Sequence, residues 1–188
     1  DSYTELRLWL IAHPEAILAL VFGMAMLEAV AVIGAIVPGV ALLFVLSVLA
    51  AHADVDFVTL LVVGVAGAMA GDGVSYAIGR TFQHRIEGVW PFRKHPQWLA
   101  RSEAYVEQHG GKSIIFGRFI GPLRAFVPMA AGIFRMKPLY FLWMNFLSAM
   151  AWAPFHLVPG YSFGMAAVDN SLPGREQWLF LATLLILV

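Results

Sequence analysis

From Ala16 to Ala51 the chain carries a single charged residue, Glu28, and a single strong helix breaker, Pro38-Gly39. A straight helix of that length would run about 54 Å at about 1.5 Å per residue, against a bilayer hydrocarbon core of about 30 Å. The run therefore has to break. The leg before Pro38 is long enough to span, whereas the leg from Val40 to Ala51 covers only about 18 Å and reads as a half-helix or re-entrant piece, sheltered by protein or by a wet cavity. Composition points the same way: 60% hydrophobic residues, 13% charged and a mean hydropathy of +0.76 exclude an ordinary soluble domain. Twelve basic and twelve acidic residues cancel, so charge suggests no nucleic-acid partner. Cysteine is absent, which removes disulfides, thiolate metal sites and cysteine nucleophiles.

The rest of the chain repeats the theme of apolar runs with glycine and proline interruptions. Residues 57–79 read as a spanning helix whose Gly67 and Gly71 form a small-xxx-small pair for close helix approach. Residues 80–112 hold Arg80, Arg85, Arg93, Lys94, Arg101 and Lys112, half of all the basic residues. The opposite connection, His52 to Asp56, has no Lys or Arg. That asymmetry predicts a cytoplasmic loop at 80–112. Within it, His95 to His109 reads as a helix with the apolar stripe Trp98, Leu99, Tyr105 and Val106. It either lies on lipid headgroups or packs on the rest of the protein. Residues 113–134 form a second re-entrant candidate, interrupted at Gly121-Pro122 and again at Pro128, and residues 139–168 a kinked span with a break near Pro159-Gly160. The sequence opens at Asp1 without methionine or a basic leader, and the run 178–188 reads as the start of a further helix, so the reading expects more polypeptide beyond it. One membrane domain over 1–188 is expected: an all-α integral membrane protein with two opposed broken-helix hairpins.

Arg118 and Arg124 stand inside the second broken segment, flanked by Ile, Phe, Val and Met. An arginine at the centre of a spanning helix costs roughly 2.5–3.5 kcal/mol on insertion scales, so two of them need anionic partners, water or a task. Phosphate is the natural ligand, because the planar guanidinium stays charged and matches its oxygens two at a time. On a continuous helix a spacing of six would set the two about 120° apart; a break at Gly121-Pro122 would let them converge, with exposed helix N-termini adding donors. The plainer alternative is that each arginine caps carbonyls or pairs with Glu28 or Asp72 to hold the hairpins shut. Two broken segments in the two halves of a chain, one bearing an acid and one bearing bases, are the pattern of a transporter site near the membrane midplane.

Glu28 reads as a coupling or gating acid or as a helix-packing acid satisfied by a neighbour. Asp72, nearer a helix end, is either a structural partner of Arg80 or Arg118 or a second gating acid. Tyr76 is placed in the interfacial belt, Asn145 and His156 among interhelical hydrogen-bonding groups, and Arg135 and Lys137 at a headgroup layer. Enzyme signals are weak. Gly73-Val-Ser-Tyr-Ala77 lacks the last glycine of a nucleophile elbow, the six histidines have no metal-ligand spacing, and no phosphate-binding loop with Lys-Ser/Thr is present. No metal, no cofactor and no catalytic residue are expected.

The stretch Gly71 to Arg80 (GDGVSYAIGR) followed by Phe116 to Gly132 (FGRFIGPLRAFVPMAAG) resembles the DedA family of bacterial inner-membrane proteins, from about Ala16 to Val168. The resemblance implies two opposed re-entrant hairpins and a role in moving lipids across the bilayer, with undecaprenyl phosphate or a related anionic phospholipid as substrate and proton coupling suspected. It maps the family's membrane acid onto Glu28 and its two arginines onto Arg118 and Arg124. Two departures stand out. Val40 follows Pro38-Gly39 where many members carry an acid, and the Gly121-Pro122 order differs from that of many relatives. The resulting expectation is a multi-pass inner-membrane lipid transporter, with Arg118 and Arg124 binding phosphate and Glu28 and Asp72 gating. Two alternatives stand beside it: a proton-driven small-molecule or cation exporter, and a non-catalytic membrane module of a fused lipid phosphatase.

Overall fold

The computed structural model describes residues 2–30, 33, 39–88, 93–120 and 123–168. Pro38, Gly121, Pro122 and the run 178–188 lie outside these residues. Everything regular among the described residues is helical: α1 (Ser2–Ala12), α2 (Pro14–Ala29), α3 (Gly39–His52), α4 (Phe57–Phe82), α5 (Pro96–His109), α6 (Lys112–Gly117), α7 (Leu123–Ile133) and α8 (Pro138–Val168), with a 3₁₀ segment Gln83–Gly88 after α4. The protein is an all-α membrane protein. Helices α4 and α8, of 26 and 31 residues, are long and apolar enough to cross a bilayer, and the pair α1 and α2, bent by 101° at His13, makes a third span if counted as one. Pro14 explains that bend, since it has no N–H to extend α1 and its fixed φ suits the first position of α2. Side chains such as Val58 and Val62 on α4 and Leu139, Trp143, Met150 and Phe155 on α8 are exposed, as lipid-facing surfaces require.

Helix α4 sits at the centre, with α2, α7 and α8 packed around it, and α3 lies against α8. Asp56 starts α4 by accepting hydrogen bonds from Thr59 N at 2.9 Å and Thr59 Oγ1 at 3.1 Å, which satisfies a first-turn donor. The small-residue pair on α4 meets α2. A Cβ at Gly67 would stand 3.1 Å from the Ala25 Cβ and one at Gly71 2.7 Å from the Ala29 Cβ, with the Phe22 and Met26 carbonyls closer still. Gly160 and Gly164 do the same for α8 against Phe44, Ser47 and Val48 of α3. Ile17, Val21, Leu43, Leu60, Ala149 and Leu157 fill the space between these contacts.

Several sequence-based expectations need correction. Helix α2 ends at Ala29, where Val30 turns extended at φ −73°, ψ 127°, so the helix is shorter than the leg the sequence suggested. Pro128 lies inside α7 without ending it, and α8 runs unbroken through Pro154, Pro159 and Gly160. A proline removes one helical hydrogen bond, and in a membrane helix held by neighbours that loss is absorbed without ending the helix. Here α3 packs on the glycine face beyond Pro159. Helix α5 has the expected extent, and its stripe settles which surface it meets: Leu99, Ser102 and Val106 are buried, and Trp98 stacks on Phe126 of α7 at 5.6 Å. The stripe packs on protein and is not free to lie on headgroups. Tyr76 is also interior. It stacks on Phe141 at 4.2 Å and its hydroxyl donates to the Met136 carbonyl, which Arg80 Nη1 reaches too, at 3.1 Å.

These contacts make α4 an internal control. Gly71→Ala must push α2 away and should lower thermal stability by about 1–3 kcal/mol. Gly73→Ala, where an added Cβ meets nothing within 4 Å, should be neutral or stabilising by up to about 1 kcal/mol from helix propensity. Thermal unfolding of the two purified variants in detergent decides it; equal melting temperatures would contradict the packing described.

Candidate functional site

Three helices and the α6–α7 connection deliver charge to one point. Ile17, Val21, Ala25 and Glu28 form a buried stripe along α2 at helical spacing, so the acid sits on the helix's core face. The Ser75 hydroxyl steadies that end of α2, reaching the Ala29 carbonyl at 3.3 Å. Asp72 occupies the equivalent face of α4 between buried Ala68 and Ser75. Arg118 follows the last residue of α6, which is tied to α8 by Ser148 Oγ donating to the Ile114 carbonyl at 3.1 Å. Arg124 is the second residue of α7.

The four side chains form two ion pairs. Arg118 Nη2 is paired with Asp72 Oδ2. Arg124 Nη1 lies 2.8 Å from Glu28 Oε1. Together with Ala29, Ala68 and Trp152 they line a small cavity of about 20 Å³. One water needs about 10–15 Å³, so there is room for about one. Net charge within it is zero. Glu28 also lies against Gly39, the first residue of α3, where a helix dipole favours a carboxylate.

The pairs differ in their surroundings. Arg118 is 8% exposed and has further anchors: Nη2 donates to Asn145 Oδ1 at 3.2 Å, and the guanidinium stands 5.6 Å from the Trp152 ring centroid, within cation–π range. The Arg124 side chain is 27% exposed and reaches Glu28 from the cavity's open side.

All four charged residues singled out in the sequence thus come together, and of the two partners left open for Asp72, Arg118 takes it while Arg80 bonds Tyr76 at 2.9 Å instead. Of the hairpin breaks, Gly39 opens α3. Asn145 and Trp152 were not foreseen as site residues. The available signal was a lone amide in an apolar spanning run, which is costly unless bonded. His156 is corrected: its Nδ1 pairs with the Trp152 carbonyl of its own helix at 3.0 Å, not across helices. No cluster of three or more His, Asp or Glu residues able to hold a metal ion occurs among the described residues.

Comparison with known proteins places this geometry in a lineage. A family model described as "VTT domain" matches residues 37–162, which include both arginines and Asp72. The chain belongs to the VTT-domain, or DedA, family. "Inner membrane protein YabI" of Escherichia coli K12 is 34% identical over 167 residues, covering 87% of this chain and 65% of that protein. "Protein DedA" of the same strain is 32% identical over 151 residues, covering 78% of this chain and 68% of the relative. "Inner membrane protein YohD", also from that strain, is 31% identical over 143 residues, covering 74% and 73% respectively. The chain spans just under two thirds of the length of YabI. No solved structure matches it. Glu28 lies outside the matched domain, on the helix that the family core packs against.

Burial sets the energetics of the inner pair. Arg118→Ala leaves Asp72 as an uncompensated buried carboxylate and should cost about 3–5 kcal/mol, whereas Arg118→Ala with Asp72→Ala should recover a large part of that loss. A double-mutant cycle on unfolding free energy in detergent measures the coupling. Additive losses would mean that the pair does not form.

Proposed function

We propose that this DedA-family chain is the membrane core of a lipid-phosphate transporter, with Arg124 and Arg118 receiving the phosphate of undecaprenyl phosphate or a related anionic lipid. The observation that carries this reading is the convergence of two guanidiniums on one neutral cavity inside an apolar bundle, with one of them partly open to the surface. A phosphate offers Arg124 the same two-oxygen geometry as Glu28 and can take its place. The N-terminal turn of α7 beside it contributes further donors and a positive dipole end. Five heavy atoms do not fit where one water does, so the site opens for the substrate. The lipid tail stays outside among exposed Phe119, Ile120 and Phe155.

Displacement of Glu28 has a consequence for protons. A carboxylate stripped of its counter-ion in an apolar setting is expensive, so lipid binding is coupled to proton uptake by Glu28. Asp72 keeps Arg118 and plays the gating partner's fixed role. The chain carries lipid without covalent chemistry, needs no cofactor and has lipid and protons as its partners. In this reading α2–α3 and α6–α7 are the two opposed hairpins. Their support lies in length: α3, α6 and α7, with 14, 6 and 11 residues, cover about 21, 9 and 16 Å, each short of a core of about 30 Å.

Proteoliposomes with labelled polyprenyl phosphate test the reading. Arg124→Ala and Arg124→Lys should each lower translocation at least about tenfold, because neither reproduces a forked, charge-assisted contact. Glu28→Gln should bind the lipid yet fail to respond to an imposed pH gradient. Full activity in both Arg124 variants removes the phosphate site, and a gradient response identical to wild type removes Glu28 from the proton path.

The chain is placed in the inner membrane with residues 80–112 on the cytoplasmic side, on the strength of six basic residues there against none between His52 and Asp56. With no native cysteine, Gln97→Cys and Ala53→Cys report orientation directly. An impermeant thiol reagent applied outside spheroplasts should label position 53 and spare 97; the reverse pattern overturns the orientation.

A further inference from the structure

Asn145 is fully buried in the middle of the apolar surroundings of α8, and both ends of its amide are used. Nδ2 donates to the Met69 carbonyl of α4 at 3.2 Å, which leaves Oδ1 facing Arg118 Nη2, also at 3.2 Å. The backbone of α4 therefore dictates which way the amide points, since the reversed amide would set N–H against N–H at Arg118 and oxygen against oxygen at Met69. The consequence falls on the guanidinium. Nη2 is held by Asp72 and Asn145 on one side while the Trp152 ring covers a face, so rotation about the last bonds of Arg118 is blocked. Nη1 is left buried, on a residue lining the cavity, with no hydrogen bond to any described residue.

The geometry points to Asn145 as the positioning residue of Arg118, fixing the guanidinium so that its Nη1 edge is offered to an anionic phosphate headgroup in the cavity. This rests on the lipid-phosphate reading and adds to it a division of labour: Asp72 neutralises Arg118, and Asn145 aims it. Without the amide, Asp72 alone lets the guanidinium swing about a single contact, and its second edge turns away from the cavity. The role differs from a simple interhelical hydrogen bond, which would hold α8 to α4 with no effect on what Arg118 can bind.

The test is saturation kinetics of labelled polyprenyl phosphate transport in proteoliposomes, with thermal stability measured on the same preparations. Asn145→Leu keeps the volume and deletes both bonds; its apparent KM should rise about tenfold or more, the effect of losing one hydrogen bond to a charged group, with turnover per folded molecule within about twofold of wild type. Asn145→Asp keeps an acceptor toward Arg118 but sets a second carboxylate beside it, competing with the anionic substrate, and should raise KM at least as much. If Asn145→Leu does not fold, Asn145→Ala, which also deletes both bonds and adds no charge, carries the decision. An unchanged KM in the folded variant, with only stability reduced, overturns the positioning role. Absence of saturable transport in the wild type sinks the lipid-phosphate reading itself, a result separate from either variant's behaviour.

Discussion

Charge inside a bilayer has to be neutralised within the protein, and two ion pairs do that here by tying the two halves of the chain together. Glu28 and Asp72 come from α2 and α4, Arg118 and Arg124 from either side of the α6–α7 connection. Hydrophobic burial alone does not specify this arrangement, because helix surfaces in lipid gain little by leaving one apolar medium for another. Close packing through Gly67, Gly71, Gly160 and Gly164 brings backbones together, and the charges then select which face of each helix is presented. A guanidinium left without its acid would cost about 3–5 kcal/mol, as much as a large cavity in the core.

The two pairs solve opposite problems. Arg118 has a carboxylate, an amide and an indole around it and scarcely any exposure, which is the environment of a fixed charge. Arg124 sits in the first turn of α7, where the helix dipole disfavours a cation and favours an anion, and it is partly exposed. Glu28 compensates from α2 while itself lying at the start of α3. In the proposed reading, a competing anion would meet one arginine held in place and one, partly exposed, whose carboxylate partner it could replace. That difference arises from position along the helices and not from residue type, since both pairs are Arg with a carboxylate.

Much of the site was legible in the sequence for an energetic reason: Glu28, Arg118 and Arg124 each interrupt apolar runs, and interruptions that expensive are seldom idle. Which arginine meets which acid was not legible, because the pairing is set by how α6 and α7 dock on α4, and no periodicity encodes a docking between distant segments. Asn145 was seen as a polar residue in a span, but its partner, the Met69 carbonyl, lies on α4, four helices earlier in the chain. The misread breaks have a common cause. Proline and glycine mark where a helix is weak, yet α8 passes through Pro154 and Pro159 because α3 supports it, while α2 stops at Ala29 before any proline arrives. For α5 the stripe gave the buried face correctly and left open what covered it, which only the position of Phe126 on α7 decides.

The same contacts restrict how such a site can open. Backbones meet without room for a side chain at Gly67 and Gly71 between α4 and α2, at Gly160 and Gly164 between α8 and α3, and at Gly79 and Gly132 between α4 and α7. Sliding at any of these would separate main chains packed to native density, which deform little. Along α7, however, the pinned residues Met129 and Gly132 lie in the C-terminal half, and Arg124 is at the other end, paired with Glu28 of α2. In the lipid-phosphate reading proposed above, a phosphate that took over Arg124 would break this ion pair between α7 and α2. In that reading ligand exchange and opening of the cavity would be one event, with the energy of the lost pair returned by the phosphate that replaces it.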